Sequence, residues 1–297
     1  MSLKSNPHIQ HGGYDFLYHL GINTKDVDIK KLFNDVKFVC LGGSQSRMFK
    51  FVRYIGAQLN VKIGENGEPF NYAYKTDRYC LYKAGPVLCA NHGIGIPSLS
   101  VVINEIFKLL FYAECKDVIF IRIGTSGGLG IDPGTVVITT NVLNGELKPV
   151  HCMTTLGRRI EHPTYVDPDL AKELANLCPD ESYATVLGTT VSVDSFYEGQ
   201  GRIDGALCDF TDNDRETFLK ALQEKGVKNI EMESIGLFSF CHRAGYKAAM
   251  ISVVLVNRLV SEEPTDDDEA RKVWEQRPFS IAYRFIKSRL DKAEGFS

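Results

Sequence analysis

Residues Ser195 to Asp204 read SFYEGQGRID. Two aromatics, a Glu, a Gln and an Arg crowd a stretch where Gly199, Gly201 and Gly205 let the backbone come close to something. A carboxamide carries an acceptor and a donor side by side. A guanidinium adds fixed donors that stay charged. With Phe196 as a flat face, Gln200 and Arg202 are the groups that would read a small polar molecule.

Other arginines suggest an anion. Arg47 lies just inside a helical stretch opened by Gly42–Gly43, and Arg122 ends the apolar run VIFIR one residue before GTSGG. A guanidinium among buried neighbours needs an anionic partner, and a glycine turn entering a helix collects backbone N–H groups for one. Two such turns, each with an Arg, predict a phosphate-sized site. Arg78 sits in KTDRYCLY, on an expected strand, and taken alone reads as a surface salt-bridge partner. NIEMES places Glu231 and Glu233 around Met232. One of these acids should point inward, as a structural carboxylate or as an acceptor for the vicinal hydroxyls of a ribose. His8, His11 and His19 fit no metal spacing and read as a surface arm. His92 and His242 read as packed or surface residues. The acidic run SEEPTDDDEA reads as a solvated helix cap, with no metal role.

These residues need elements to hold them. VKFVCLG is a buried strand, followed by a helix whose Met48, Phe51, Val52, Ile55 and Leu59 share one face, capped by Ser44 or Ser46. A helix opens at Pro97, KDVIFIRIG and GTVVITTNVL are strands, and a helix spans Pro168 to Leu177. ATVLGTTVSV, NIEMES and KAAMISVVLVNRL are further strands, with helices over 212–225, IGLFSFCHRAG and the C-terminal stretch. Strands alternate with helices throughout the 297 residues. That predicts an α/β fold, a single domain over 1–297 with a central mixed β-sheet flanked by helices.

A formal net charge of −3 predicts no nucleic-acid or membrane partner. No apolar stretch reaches the ~18 residues of a membrane span. The N-terminus lacks an apolar signal core, so a cytoplasmic location is expected. The eight cysteines lack CxxC spacing and read as reduced thiols. One pair is worth testing: in the expected hairpin YCLYKAGPVLCANHG, with its turn at Ala84–Gly85–Pro86, Cys80 and Cys89 would face each other within disulfide range. The glycine runs do not make a dinucleotide site: NHGIGIPS lacks the third glycine, and no GxxxxGK[ST] occurs.

FVCLGGSQSRM, TDRY, RIGTSGG, PGTVVIT, FYEGQGRIDGA and NIEMES together resemble the uridine phosphorylases, eukaryotic type, within the nucleoside phosphorylase family. The likeness runs from about Tyr18 to the last helix, leaving 1–17 as an N-terminal arm. It implies reversible phosphorolysis of uridine to uracil and ribose 1-phosphate, in pyrimidine salvage, by homodimers whose active sites are completed across the interface. It implies no cofactor, inorganic phosphate being a substrate. By motif match, Gly43, Arg47, Arg122 and Thr125 would hold phosphate, and Arg78 would reach the partner's phosphate. His19 would reach the partner's ribose, while Met232 and Glu233 hold the ribose of their own site. Phe196, Gln200 and Arg202 would hold uracil, with Leu255 and Val256 as an apolar wall. Arg47, Arg122, Gln200 and Arg202 would carry the catalysis. Purine enzymes of the family carry an Asp after the last strand, where this chain has Asn257 and Arg258. The residues just before Phe196 depart from the vertebrate pattern. The alternatives are a purine nucleoside phosphorylase or nucleosidase, or a non-catalytic nucleoside-binding paralogue.

Overall fold

The computed structural model describes residues 6, 8, 9, 14–178 and 182–294. His11 and most of the expected arm lie outside them. The chain packs as two compact units, each discontinuous in sequence: residues up to 123, 240–248 and from 286 onward, and residues 124–239 with 249–285.

The first unit opens with the short strands β1 (Phe16–Leu17) and β2 (Ile22–Asn23), then α1 (Ile29–Phe33), β3 (Phe38–Gly42), α2 (Gln45–Leu59), β4 (Leu81–Ala84), β5 (Val87–Asn91) and α3 (Gly95–Tyr112). Strand β6 (Ile119–Gly128) begins in the first unit and ends in the second. Every residue of β3 and β5 is buried, as the uninterrupted apolar run of a two-sided parallel strand requires. β3 runs parallel to β5 and to the start of β6, in a register that sets Leu41 beside Arg122. α2 packs on β4 and β5 through Met48, Phe51, Val52 and Ile55. Ser44 caps it by accepting the Arg47 amide, and Asn60 closes it in a left-handed conformation.

The second unit continues with β7 (Val136–Asn144), the hairpin β8 (Val150–Thr155) and β9 (Arg158–Pro163), α4 (Pro168–Asn176), β10 (Thr185–Ser192), α5 (Asp212–Glu224) and β11 (Val227–Glu231). Then follow α6 (Ser234–Ala244), β12 (Lys247–Asn257) and α7 (Asp268–Glu294). β10 lies parallel to β7 and β11, whereas β12 runs antiparallel to β7. The end of β6 pairs antiparallel with β11, Gly128 against Asn229. The strand order β11-β10-β7-β12-β6-β3-β5-β4 is therefore a mixed sheet, the α/β class expected. A hydrogen-bond network pins the strands of the second unit from inside. The fully buried Asn229 donates to Ser126 and Ser252 at 2.9 and 2.8 Å and accepts from Thr190 at 2.8 Å, and Thr190 meets Thr139 at 2.7 Å.

Several expectations are corrected. Cys80 and Cys89 do not oppose each other: the register places Tyr82 across from Cys89, and the Asn91 side chain binds the Cys80 amide at 2.6 Å. The turn is the pair Gly85–Pro86, which closes the hairpin at Ala84 and Val87 and leaves Cys80 beyond the start of β4. Both thiols are free and buried. Arg78 lies in the loop ahead of β4, not on a strand. GTSGG is no turn, because β6 runs straight through it to Gly128. α3, at 18 residues, is long and apolar enough to cross a membrane by length and composition. Its apolar side chains, among them Leu99, Val102, Ile103, Ile106, Leu109 and Leu110, are packed into the first unit. The β8–β9 hairpin was not foreseen from sequence.

Candidate active site

Most of the residues expected to hold an anion lie in the first unit. Arg47 enters on the first turn of α2, where free backbone N–H groups gather. A methyl group on Gly43 would meet the Arg47 Nη1 and the Gly93 carbonyl at 3.6 Å, an ordinary contact. The chain's own atoms thus do not demand glycine at 43, which fits a position kept open for a ligand. Arg122 is 3% exposed and donates from Nε to His92 Nε2 at 3.3 Å. His92, which the sequence left as a packed or surface residue, therefore orients the guanidinium, and accepting at Nε2 fixes the neutral tautomer. Thr125 follows on the same strand, partly buried, at the start of the second unit.

His19 and Arg78 also belong to the first unit and line one open cavity of about 790 Å3, with Tyr18, Lys75 and Tyr79. His19 is no loose arm residue. Its amide donates to both carboxylate oxygens of the buried Glu105, at 2.9 and 3.0 Å, and its ring Nδ1 lies 2.7 Å from Oε1. The side chain of Arg78 is 74% exposed, with an ion pair to Asp77 stretched to 3.9 Å. The Arg78 charge does not serve the interior of its own unit.

The residues expected to read the base lie in the second unit. After β10, a single 3-10 turn over Glu198–Gln200 is closed by Gly201, which sits at φ +63. The Ser195 hydroxyl accepts the Gly199 amide at 2.8 Å, and the Tyr197 carbonyl accepts the Arg202 amide at 2.9 Å. This tight winding turns Gln200 and Arg202 inward, to 5% and 7% exposure, and leaves Phe196 half exposed. The Phe196 ring stands 4.7 Å from the Arg202 guanidinium carbon, a cation–π contact.

Arg258, at the end of β12, is the residue the sequence reading undervalued. It is fully buried, and it donates from Nη1 to Gln200 Oε1 and from Nη2 to the Gln200 carbonyl, both at 3.1 Å. Its Nε lies 2.8 Å from Glu262 Oε2, an ion pair whose angle falls outside hydrogen-bond geometry. Burial pushes the Arg258 pKa below its ordinary value, with Glu262 offsetting part of that push. Arg202 is held along one edge: Nε donates to Asp204 Oδ1 at 2.9 Å, and Nη2 to Asp204 Oδ2 and the Glu262 carbonyl. Burial works against the Arg202 charge, but Asp204 and Glu262 outweigh it and raise its pKa. The rule that picked out Arg122, a guanidinium ending a very apolar strand, applies equally to VVLVNR and would have found Arg258.

The acid pair resolves as well. Glu231 accepts the amides of Glu233 and Ser234 and the Ser234 hydroxyl at 2.6 Å, covering the first free N–H groups of α6. Glu231 is the structural carboxylate, and Glu233 stands beside it, 5% exposed. Met232 joins the cluster of Val191, Val193, Leu219 and Ile230. Val256 is buried and Leu255 partly so.

The Phosphorylase superfamily profile matches residues 37–287. Uridine phosphorylase 1 of Mus musculus is 42% identical over 290 residues, covering 97% of this chain and 93% of that protein. An inactive uridine phosphorylase B of Schistosoma mansoni is 37% identical over 288 residues, covering 95% of each. The crystal structure of Schistosoma mansoni uridine phosphorylase in complex with uracil superposes with a TM-score of 0.89 at 36% identity, covering 94% of this chain and 96% of that one. The matched residues include Arg47, Arg122, Arg258 and the turn that holds Gln200, and the chain belongs to the phosphorylase superfamily.

Proposed function

We propose that this chain is a uridine phosphorylase, a pentosyltransferase that converts uridine and phosphate to uracil and ribose 1-phosphate, reversibly. The observation that carries the reading is the Gln200 carboxamide held inside the fold by Arg258. Its oxygen has a second lone pair for the N3–H of uracil, and its N–H2 can donate to an adjacent carbonyl. In the reaction a phosphate oxygen bonds to the anomeric carbon, the bond to N1 breaks, and its electron pair passes to the base. The sugar turns cation-like and the base anion-like. Phosphate held by Gly43, Arg47, Arg122 and Thr125 stabilises the first. Arg202, with Gln200, meets the second, and such fixed charge is commonly the largest catalytic term. Met232 and Glu233 take the ribose, and Phe196, Leu255 and Val256 the faces of the base.

The enzyme acts as a homodimer in which Arg78 and His19 complete the partner's site. Their exposure on one shared cavity supports this. It works in cytoplasmic pyrimidine salvage, a reading that eight unpaired thiols support and that cell fractionation tests. Uridine assayed spectrophotometrically with and without phosphate decides among the alternatives. A phosphorylase consumes uridine only with phosphate, a nucleosidase does so without it, and a purine enzyme prefers inosine. A non-catalytic paralogue, such as the relative described as inactive, consumes none. Turnover of uridine that ignores phosphate would overturn the proposal.

A further inference from the structure

Three guanidiniums of the second unit converge on one carboxylate. Arg215, on α5, donates to Glu262 Oε1 from Nε at 3.0 Å and from Nη2 at 2.6 Å, and also from Nη2 to the Arg258 carbonyl at 3.0 Å. Arg258 places Nε 2.8 Å from Glu262 Oε2, and Arg202 places Nη1 3.8 Å from the same oxygen. The Glu262 side chain is 13% exposed, against 0% for Arg258, 8% for Arg202 and 19% for Arg215. Like charges this close and this poorly solvated repel strongly unless an opposite charge sits among them. Two of the three are the arginines that hold or flank Gln200. We propose that Glu262 is a positioning residue for base recognition, gathering Arg202, Arg215 and Arg258 so that Gln200 and Arg202 keep the geometry that reads uracil.

The inference rests on the base-reading role given to Gln200 and Arg202 above. With Asp204, Glu262 brings three positive charges to a net of +1 around the base. Glu262→Gln leaves the cluster at +2, keeps one acceptor oxygen for Arg215, and removes the charge that holds Arg258 Nε at 2.8 Å. Arg258 then swings from its charged neighbours, and the 3.1 Å bond that sets the Gln200 carboxamide is lost with it. Nothing in this chain of effects passes through the phosphate residues.

The test is uracil binding by calorimetry, alongside the KM values for uridine and phosphate and thermal unfolding. For Glu262→Gln the expected result is uracil bound ~10- to 100-fold more weakly, as for loss of a charge-assisted hydrogen bond. The KM for phosphate should stay within about twofold. Adding Arg215→Leu to that variant restores the net charge and should recover a large part of the loss, whereas a merely structural role predicts that the double variant is worse. Uracil affinity unchanged in Glu262→Gln, or uracil and phosphate weakened together, overturns the inference. If Glu262→Gln does not fold, Glu262→Asp carries the test, since its shorter carboxylate cannot reach Arg215 and Arg258 at once. It should lose uracil affinity several-fold at constant phosphate KM, and equal effects on both, or none, refute the role. A wild-type enzyme that bound no uracil would instead refute the function itself, so the two failures are distinguishable.

Discussion

Gln200→Glu separates reading from folding. The carboxylate is nearly the same shape as the carboxamide, and Arg258 Nη1, 3.1 Å from Oε1, keeps its acceptor and gains an opposite charge. The fold should therefore be as stable as before, or slightly more so. What disappears is the N–H2 donor. A uracil carbonyl would face a carboxylate oxygen, leaving a buried acceptor unpaired at about 1–3 kcal/mol. The negative charge that grows on the departing base would meet a second one. At ~4 Å and an effective dielectric of ~20, like charges repel by about 4 kcal/mol, which Arg202 and Arg258 partly cancel. A net loss of ~3 kcal/mol in transition-state stabilisation corresponds to about 10²-fold in kcat/KM for uridine.

Gln200→Leu gives the opposite split. It keeps the bulk but leaves Arg258 Nη1, on a fully buried side chain, without the Gln200 oxygen. Uridine turnover should again fall by about 10²-fold or more, but now stability falls too, by ~1–3 kcal/mol, or a few degrees in Tm. Steady-state phosphorolysis at saturating phosphate, the phosphate KM and thermal melts measure all of this. If Gln200→Glu retained kcat/KM within about threefold of wild type, Gln200 would not be the uracil reader and the account of the FYEGQGR turn would be wrong.

Cytidine presents an acceptor at N3 and a donor at C4, so a site built around the Arg258-anchored carboxamide should reject it by up to ~10⁴-fold in kcat/KM; comparable turnover of cytidine and uridine would contradict the site. Arg78→Ala should raise the phosphate requirement strongly at unchanged Tm, because the side chain is exposed, and verified hybrids of Arg78→Ala with Gln200→Ala subunits should regain activity, since one of their two sites is complete. No recovery in such hybrids would end the shared-site proposal. Asp15 tests the pH dependence: burial works to raise its pKa, but hydrogen bonds from Lys108 and Tyr112 outweigh it and hold it below the ordinary 3.8. A depressed carboxylate stabilises the fold above 3.8, and that contribution is lost as the pH falls through its lower folded value. Asp15→Asn should therefore lie below wild type in Tm near pH 7 and converge with it as the pH falls below the depressed folded pKa, whereas a gap independent of pH would refute the assignment.

What the sequence made legible follows from range. The apolar run around Arg122 predicts a buried strand because burial is written in neighbouring residues. The helix at Pro168 and the Ser44 cap are legible for the same reason. The partners that orient the site are not local. His92 stands 30 residues from Arg122, Glu105 stands 86 from His19, and the Glu262 carbonyl that binds Arg202 lies 60 away. Composition assigns no pairing at such distances. The Cys80–Cys89 expectation failed at shorter range on register alone: a two-residue turn pairs Cys89 with Tyr82, a three-residue turn over Ala84–Gly85–Pro86 would pair it with Leu81, and neither brings Cys80 opposite. Glu231 and Glu233 could not be told apart until the start of α6 showed which carboxylate its amides used.

The turn that holds Gln200 carries that limit furthest. The oxygen and nitrogen of a carboxamide are nearly the same size, so packing alone cannot decide which of them faces a ligand. Reading the N3–H and an adjacent carbonyl of uracil demands one orientation and fails in the other. A guanidinium has donors and no acceptor, so the Gln200 atom facing Arg258 Nη1 must be the oxygen. Arg258 thereby settles what the shape of the turn leaves open, from a position 58 residues away along the chain. The motif shows that an amide is present. Which hydrogen-bond pattern it presents is decided at the end of β12, and the arginine there can do this because burial and the neighbouring Glu262 hold it in one place.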